Sequence, residues 1–276
     1  MISGRNVSAL DQPQVLERLF HSRKDHQPSC PQGAIDHFIP VEEGVQIGAR
    51  FFLGEPLYPH ILFFHGRDEI VSDYNDIGLA YNRYSLSFLV VDYRGYGQSE
   101  GKPTATCLLS DAHAILKEVY GWLNEKNRTG PFIVMGRELG SASALEIAST
   151  HQDKISGLIL ESAFARTVPW LNCLGVPTEA LGITEADGFV NFGKIKVIGK
   201  PTLIIHGPHD DIIPLRDADI LLCNCAARSK ELALALGSGH SNILLRTGEA
   251  YFQKISQFAM RLKREKEKPT KRRWFR

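Results

Sequence analysis

Short apolar segments alternate with longer segments of helical periodicity through most of this chain, and that alternation restricts the fold more than any other feature. Several of the short segments are apolar throughout, which is typical of strands buried on both faces of a parallel sheet. The longer segments repeat apolar residues at the spacing of an amphipathic helix. The pattern predicts a doubly wound α/β fold with a mostly parallel sheet. The predicted strands are Ile61 to His65, Ser87 to Asp92, Phe132 to Gly136, Gly157 to Glu161, Thr202 to His206 and Glu231 to Leu236, and the predicted helices include Thr106 to Glu125, Leu139 to Ser149 and Ala218 to Ala227.

Two further segments, Ala34 to Val41 and Gln46 to Leu53, are separated by the turn Glu42-Glu43-Gly44 and predict an antiparallel hairpin at the sheet edge. They bring the sheet to about eight strands. The widest gap between strands, 162–200, is interrupted by proline and glycine and predicts a short, cap-like helical excursion after the sixth strand. The predicted organisation is an N-terminal extension (1–33), an α/β domain (34–262) and a basic tail (263–276).

Charge and composition exclude several function classes. The chain has 276 residues, of which 43% are apolar, and 32 basic against 31 acidic residues leave a formal charge of +1. A net charge this small gives no overall electrostatic attraction for nucleic acid, so no specific nucleic-acid partner is expected. The tail 263–276 is the local exception, with eight Lys or Arg and two Glu. It is either a solvated terminus or a contact for an anionic surface.

The N-terminus lacks the apolar run of a signal peptide, and no apolar stretch is long enough to span a bilayer, so a cytoplasmic protein without a transmembrane segment is expected. The cysteines are odd in number and scattered, which favours reduced thiols over a disulfide framework. Cys223 and Cys225 have no second Cys or His pair at zinc spacing. Neither a metal nor a cofactor is expected.

Polar and glycine-rich segments follow five of the predicted strands. They are FFHGRDE, DYRGYGQSEG, GRELG, IHGPHDDIIP and GSGHSNI, in chain order. In open α/β sheets ligands bind beyond the carboxyl ends of the strands, where these segments would meet. The sequence therefore predicts one cleft that takes a small-molecule substrate or ligand.

The segment Gly136-Arg137-Glu138-Leu139-Gly140 joins a buried strand to a helix through a sharp turn. Side chains at Gly136 and Gly140 would collide across such a turn, and its apex residue is forced into a strained conformation. The apex side chain is expected to protrude. The backbone N–H groups of Leu139 and Arg67 are the candidate donors to a developing oxyanion.

These motifs resemble the α/β-hydrolase fold family over residues 34 to 262, in particular its small bacterial and serine-aminopeptidase-like members. The resemblance implies that Gly136 and Gly140 are the glycines of the nucleophile elbow, that Asp210 is the acid and that His240 is the base, in the family's own order. It also implies that Glu138 stands where the family has serine. Asp211 and, less favoured, Glu161 are alternative acids.

The role of Glu138 stays open at this stage. It could be a nucleophile, a general base that activates water with His240, or a structural or ligand-binding residue. In the last two roles His240 would stand between the carboxylates of Asp210 and Glu138. Replacement nucleophiles are less favoured, because helix direction turns two of the three candidates away from the apex. They are Ser141, Ser143 and Ser162.

Two functions follow from this reading. The first is hydrolysis of a small ester, thioester, amide or related substrate, with Glu138, Asp210 and His240 at the cleft. The second is a catalytically impaired or non-catalytic ligand-binding or interaction protein on the same scaffold.

Overall fold

The computed structural model describes residues 6–26 and 29–267, and within these ranges one eight-stranded sheet forms the centre of the molecule. Its spatial order is β1-β2-β4-β3-β5-β6-β7-β8; β2 pairs antiparallel with β1 and β4, and all other neighbours are parallel. The predicted α/β sheet and edge hairpin are confirmed. The strands are β1 (Ala34–Glu42), β2 (Val45–Phe52), β3 (His60–Phe64), β4 (Ser87–Val91), β5 (Phe132–Arg137), β6 (Gly157–Glu161), β7 (Thr202–His206) and β8 (Lys230–Leu234).

Helices cover both faces of the sheet, as the apolar strands require. The described α-helices are α1 (Pro13–Leu19), α2 (Asn75–Arg83), α3 (Ala105–Glu125), α4 (Gly140–Thr150), α5 (Thr167–Cys173), α6 (Asn191–Ile195), α7 (Leu215–Asn224), α8 (Ile243–Thr247) and α9 (Glu249–Glu267). Along β3, Leu62 and Phe64 pack into a core shared with α3, α4 and α7. Ile61 and Phe63 pack into a second core with α2 and α9. Alternate residues of one strand therefore serve different layers.

The segment before β1 is packed onto the first of these cores. A short 3₁₀ turn, Ser8–Asp11, and α1 contribute buried apolar side chains to it. Because these side chains share one core with the sheet, the segment is part of the folded unit; the predicted domain boundary after residue 33 stays a prediction. The buried residues are Val7, Leu10, Val15, Leu19 and Phe20.

The excursion between β6 and β7 contains α5, the 3₁₀ turn Glu185–Asp187 and α6. Phe164 stacks on Trp170 with ring centroids 4.0 Å apart, and both rings belong to the α3/α4 core. The Ala165 N–H donates to the Asp217 carboxylate at 2.7 Å, which ties the excursion to α7. The segment is thus held against the sheet rather than extended into solvent.

The described part of the chain ends with α9, which continues to Glu267 and so includes the first five residues of the predicted basic tail. The rest of that tail, 268–276, lies outside the described residues. Of the helices that the model describes, none combines the length and the apolar content needed to cross a bilayer.

Candidate active site

A sharp turn joins β5 to α4, and Glu138 stands at its apex with φ +49°. A Cβ at Gly136 would lie 2.3 Å from the carbonyl oxygen of Gly140, and one at Gly140 would lie 2.1 Å from that of Phe64. Both glycines are therefore required by backbone packing. The positive φ and the close backbone approaches are those of a sharp turn; the role of this turn as a nucleophile elbow stays a prediction.

The side chain of Glu138 is directed at the loop after β3. Its Oε2 accepts the backbone N–H of Arg67 at 2.7 Å, and its Oε1 lies 3.3 Å from Nε of the Arg67 guanidinium. Glu138 is only 3% exposed, and Oε1 has no hydrogen-bond partner among the described residues. The carboxylate thus occupies one of the two N–H donors that the sequence assigns to an oxyanion.

A buried histidine, His65, contacts the carbonyl of the peptide group that carries this N–H. Nδ1 of His65 is 2.7 Å from the carbonyl oxygen of Gly66, and Nε2 is 3.2 Å from the Asp92 carboxylate. The phenols of Tyr93 and Tyr96 donate to the carbonyls of His65 and Arg67. The loop after β4 therefore fixes the direction in which the Arg67 N–H points.

Leu139, whose N–H is the second expected donor, directly precedes the first residue of α4. Its side chain is fully buried in the α3/α4 core. This burial anchors the first turn of the helix directly behind the apex.

Asp210 and His240 form a hydrogen-bonded pair. Nδ1 of His240 lies 2.9 and 3.0 Å from the two carboxylate oxygens, and the Ile212 and Ile213 N–H groups also donate to Asp210. Burial alone would raise the pKa of the Asp210 carboxyl, but the hydrogen bond and charge of His240 outweigh it and hold that pKa below its usual value. A carboxylate placed in this way fixes the tautomer of the imidazole.

The alternative acids lie elsewhere. Asp211 is exposed. Glu161 is buried and bonded to Tyr251 and Arg137. Of the three candidates, the described structure joins only Asp210 to the His240 ring.

Glu138 and His240 are not joined to each other. Within 6–26 and 29–267 no hydrogen bond or ion pair links the two, because the carboxylate is held by Arg67 and the Nδ1 edge of the ring by Asp210. The described contacts therefore do not place His240 between two carboxylates. In the described structure Glu138 is bonded to the loop that carries Arg67, and His240 is bonded to Asp210.

The serines named as replacement nucleophiles are buried and occupy different positions. Ser141 Oγ donates to the Glu138 carbonyl at 2.6 Å, and Ser143 Oγ donates to the Leu108 carbonyl on α3. Ser162 has φ +43°, and its Oγ has no partner in the described part of the chain. No described contact pairs any of the three with His240.

Arg137, between the two elbow glycines, has contacts that sequence reasoning missed. It pairs with Glu69 and Glu161 and donates to the His240 carbonyl at 3.1 Å. A charged side chain two residues after Met135 shares that residue's face, and this was the available signal. Among the described residues, no group of three or more His, Cys, Asp or Glu side chains is arranged to hold a metal ion.

Comparison with known proteins finds relatives of this chain. Residues 57–180 match the family model of the serine aminopeptidases, S33. Human alpha/beta hydrolase domain-containing protein 17B is 30% identical over 246 residues, which cover 86% of this chain and 79% of that protein.

Solved structures show the same fold. The Pyrococcus furiosus esterase Pf2001 superposes with a TM-score of 0.70 at 16% identity, covering 87% of this chain and 98% of that one. A soluble variant of the Saccharomyces cerevisiae monoglyceride lipase, solved with a substrate analogue, gives a TM-score of 0.67 at 16% identity and covers 86% and 97%. At this identity the likeness concerns the fold alone.

Proposed function

Because the chain belongs to the α/β-hydrolase family, we propose that it uses the hydrolase scaffold to bind a small-molecule ligand without covalent acyl transfer. The observation that carries this proposal is the 2.7 Å hydrogen bond from the Arg67 N–H to Glu138 Oε2. An ester carbonyl needs that donor when its oxygen becomes negative. In this protein a carboxylate already holds it.

Chemistry argues in the same direction. Attack of a carboxylate on an ester forms a mixed anhydride and expels an alkoxide. The two leaving groups differ in acidity by on the order of ten pKa units, which opposes the step by roughly 14 kcal/mol. Glu138 is therefore a poor nucleophile for acyl transfer.

The bonded pair of Asp210 and His240 supports a second candidate function. A histidine oriented by a carboxylate is the usual general base, and the His240 side chain is 10% exposed. In this candidate the protein hydrolyses a small ester, thioester or amide with water that is activated by His240 or Glu138. It requires the Glu138 carboxylate to leave the Arg67 N–H when substrate binds.

Four proteins distinguish the two candidates: the wild type, Glu138→Gln, Glu138→Ser and the double variant Glu138→Ser/His240→Ala. Each is incubated with a fluorophosphonate probe and with p-nitrophenyl acetate and butyrate. We expect no labelling and no turnover by the wild type or Glu138→Gln. Labelling and turnover should occur in Glu138→Ser and be lost in the double variant. Wild-type turnover that disappears in Glu138→Gln would establish the second candidate instead.

The remaining expectations are part of this proposal. A cytoplasmic location is supported by the five cysteines, all of which are free thiols in the structure. We propose no nucleic-acid partner, which the formal charge of +1 supports. A contact of the tail 263–276 with an anionic surface is supported by its sequence alone.

A further inference from the structure

A pocket of about 180 Å³ lies on the α2/α9 face of the sheet. Its walls include four aromatic rings, from Phe63, Tyr74, Tyr81 and Tyr251. Strand alternation explains this location, because Phe63 and Arg137 point away from the face that carries α4.

The polar part of the wall comes from neighbouring strands. Arg137 and Glu161 are register partners on β5 and β6, and Nε of Arg137 lies 3.1 Å from Glu161 Oε1. Glu69 and Asp73 are the other charged residues of the lining. The pocket thus holds three carboxylates and one guanidinium.

Pairing leaves an excess of negative charge. Arg137 pairs with Glu69, and Arg23, which lies in the N-terminal segment, pairs with Asp73. Glu161 then shares Arg137 and accepts the Tyr251 phenol at 2.5 Å, while its own exposure is 4%. Arg137 therefore serves two carboxylates, Glu69 and Glu161, and its single positive charge neutralises only one of them. The remaining negative charge lies beside the aromatic walls.

The negative charge of Glu161 affects the pKa values of three nearby phenols. Burial is the largest cause that raises the pKa values of Tyr74, Tyr81 and Tyr251, and the negative charge of Glu161 also acts on all three. The three phenols are therefore neutral at physiological pH. Their hydroxyls donate within the protein, to Glu69, Tyr251 and Glu161 respectively.

We propose that this pocket binds a small organic ammonium ion. An ammonium group is attracted both to the faces of aromatic rings and to an incompletely neutralised carboxylate. An anion would meet three carboxylates, and a neutral ligand of the same shape would lack the charge attraction to Glu161. The mouth lies beside Asp73 and Ser241, which are exposed, and the floor at Phe63 and Tyr81 is buried.

The test compares choline with 3,3-dimethylbutan-1-ol, its neutral isostere, by isothermal titration calorimetry on the full chain. Sodium chloride and magnesium chloride at equal ionic strength control for non-specific cation effects. We expect saturable binding of choline and at least tenfold weaker binding of the alcohol. Equal affinity for the two, binding of magnesium in place of choline, or no binding of choline would overturn the proposal.

Two variants locate the site. Glu161→Gln removes the charge and keeps an acceptor for Tyr251, and we expect about tenfold weaker choline binding. Leu244→Trp adds a ring at the pocket wall without burying a charge, and it should block binding. Glu231→Gln, which breaks an ion pair with Lys254, is the matched control and should leave choline binding unchanged. Unaltered binding in both pocket variants would contradict the assignment. The outcome does not depend on the role of Glu138, which points to the Arg67 loop.

Discussion

The carboxylate of Glu138 accepts the backbone N–H of Arg67 at 2.7 Å, so this N–H already has an acidic partner within the protein. The guanidinium of the same arginine lies 3.3 Å from the other carboxylate oxygen. The Arg67 N–H and the Glu138 carboxylate that accepts it therefore both belong to this protein. Catalysis by acyl transfer would first require the two to separate.

Removal of this carboxylate should create an anion site. In Glu138→Ala the Arg67 N–H and guanidinium lose their partner, and we expect butyrate to replace it. At a concentration ten times its Kd, butyrate stabilises by about 1.4 kcal/mol and raises Tm by about 3 °C. Differential scanning fluorimetry measures the shift. Butyramide should have little effect on the variant, and butyrate little effect on the wild type; equal shifts in both proteins would argue against an occupied donor.

Gly140→Ala should destabilise the fold, because its Cβ would lie 2.1 Å from the backbone carbonyl oxygen of Phe64. Backbone cannot yield as a flexible side chain does, and we expect a loss of about 3 kcal/mol in the free energy of unfolding. Gly121→Ala is the matched control, since nothing lies within 4 Å of its Cβ in α3. The control should gain about 0.5 to 1 kcal/mol. Urea unfolding compares the two, and similar values for both would show that the elbow is not tightly packed.

The Asp210 carboxylate should matter only when a nucleophile is present. In the Glu138→Ser background we expect Asp210→Asn to lower kcat about 10³- to 10⁴-fold, because His240 loses the group that fixes its tautomer. Asp211→Asn in the same background is the control, since Asp211 is exposed. Hydrolysis of p-nitrophenyl butyrate measures both. Equal losses in the two variants would identify a loop effect rather than a role for the pair.

Glu146 should make stability depend on pH. Burial alone would raise the pKa of its carboxyl, but the hydrogen bond from His113 and the charge of Lys194 lower that pKa to about 2. Because the folded-state pKa lies below the usual 4.5, the stabilisation is present above pH 4.5 and is lost as the pH falls towards 2. It amounts to on the order of 3 kcal/mol.

Urea unfolding of the wild type and Glu146→Gln between pH 7 and pH 2.5 checks this expectation. The gap between the two proteins should be largest at pH 7, where the variant leaves buried Lys194 without its carboxylate, and should shrink below pH 4.5. The exposed Glu43→Gln should track the wild type throughout. A gap that stays constant over this range would contradict the linkage.

The N-terminal segment should contribute to the stability of the whole fold. Leu19 of α1 is fully buried in the α3/α4 core, so Leu19→Ala is expected to reduce the free energy of unfolding by about 2 to 4 kcal/mol. Glu17→Ala, exposed on the same helix, should change it by less than about 0.5 kcal/mol. Both are measured by urea unfolding with one transition expected. A Leu19→Ala variant as stable as the wild type would favour an independent extension.

The strands could be predicted because buried parallel strands need apolar side chains on both faces. The predicted and observed limits differ by at most two residues, as at β8, which runs over Lys230–Leu234 rather than 231–236. The packing of residues 7–20 was less accessible, since their apolar side chains form no long periodic run. Their burial depends on a surface that exists only after the sheet has formed.

The features of the site also differ in how far the sequence could predict them. The Gly136 and Gly140 requirement follows from the turn itself and was predictable from spacing. The direction of the Glu138 side chain was not, because it depends on where the loop after β3 places the Arg67 N–H. The cluster around Arg137 combines residues from three separate segments, and only the register of β5 with β6 brings Glu161 beside it.

The buried contacts of His65 have a consequence for what a substitution of the apex residue Glu138 would do. His65 is held on both sides by Asp92 and the Gly66 carbonyl, so the peptide that donates to Glu138 is also held by a contact from its own loop. Under the proposed function, exchange of Glu138 alone is therefore expected to open the elbow while the surrounding backbone keeps its course.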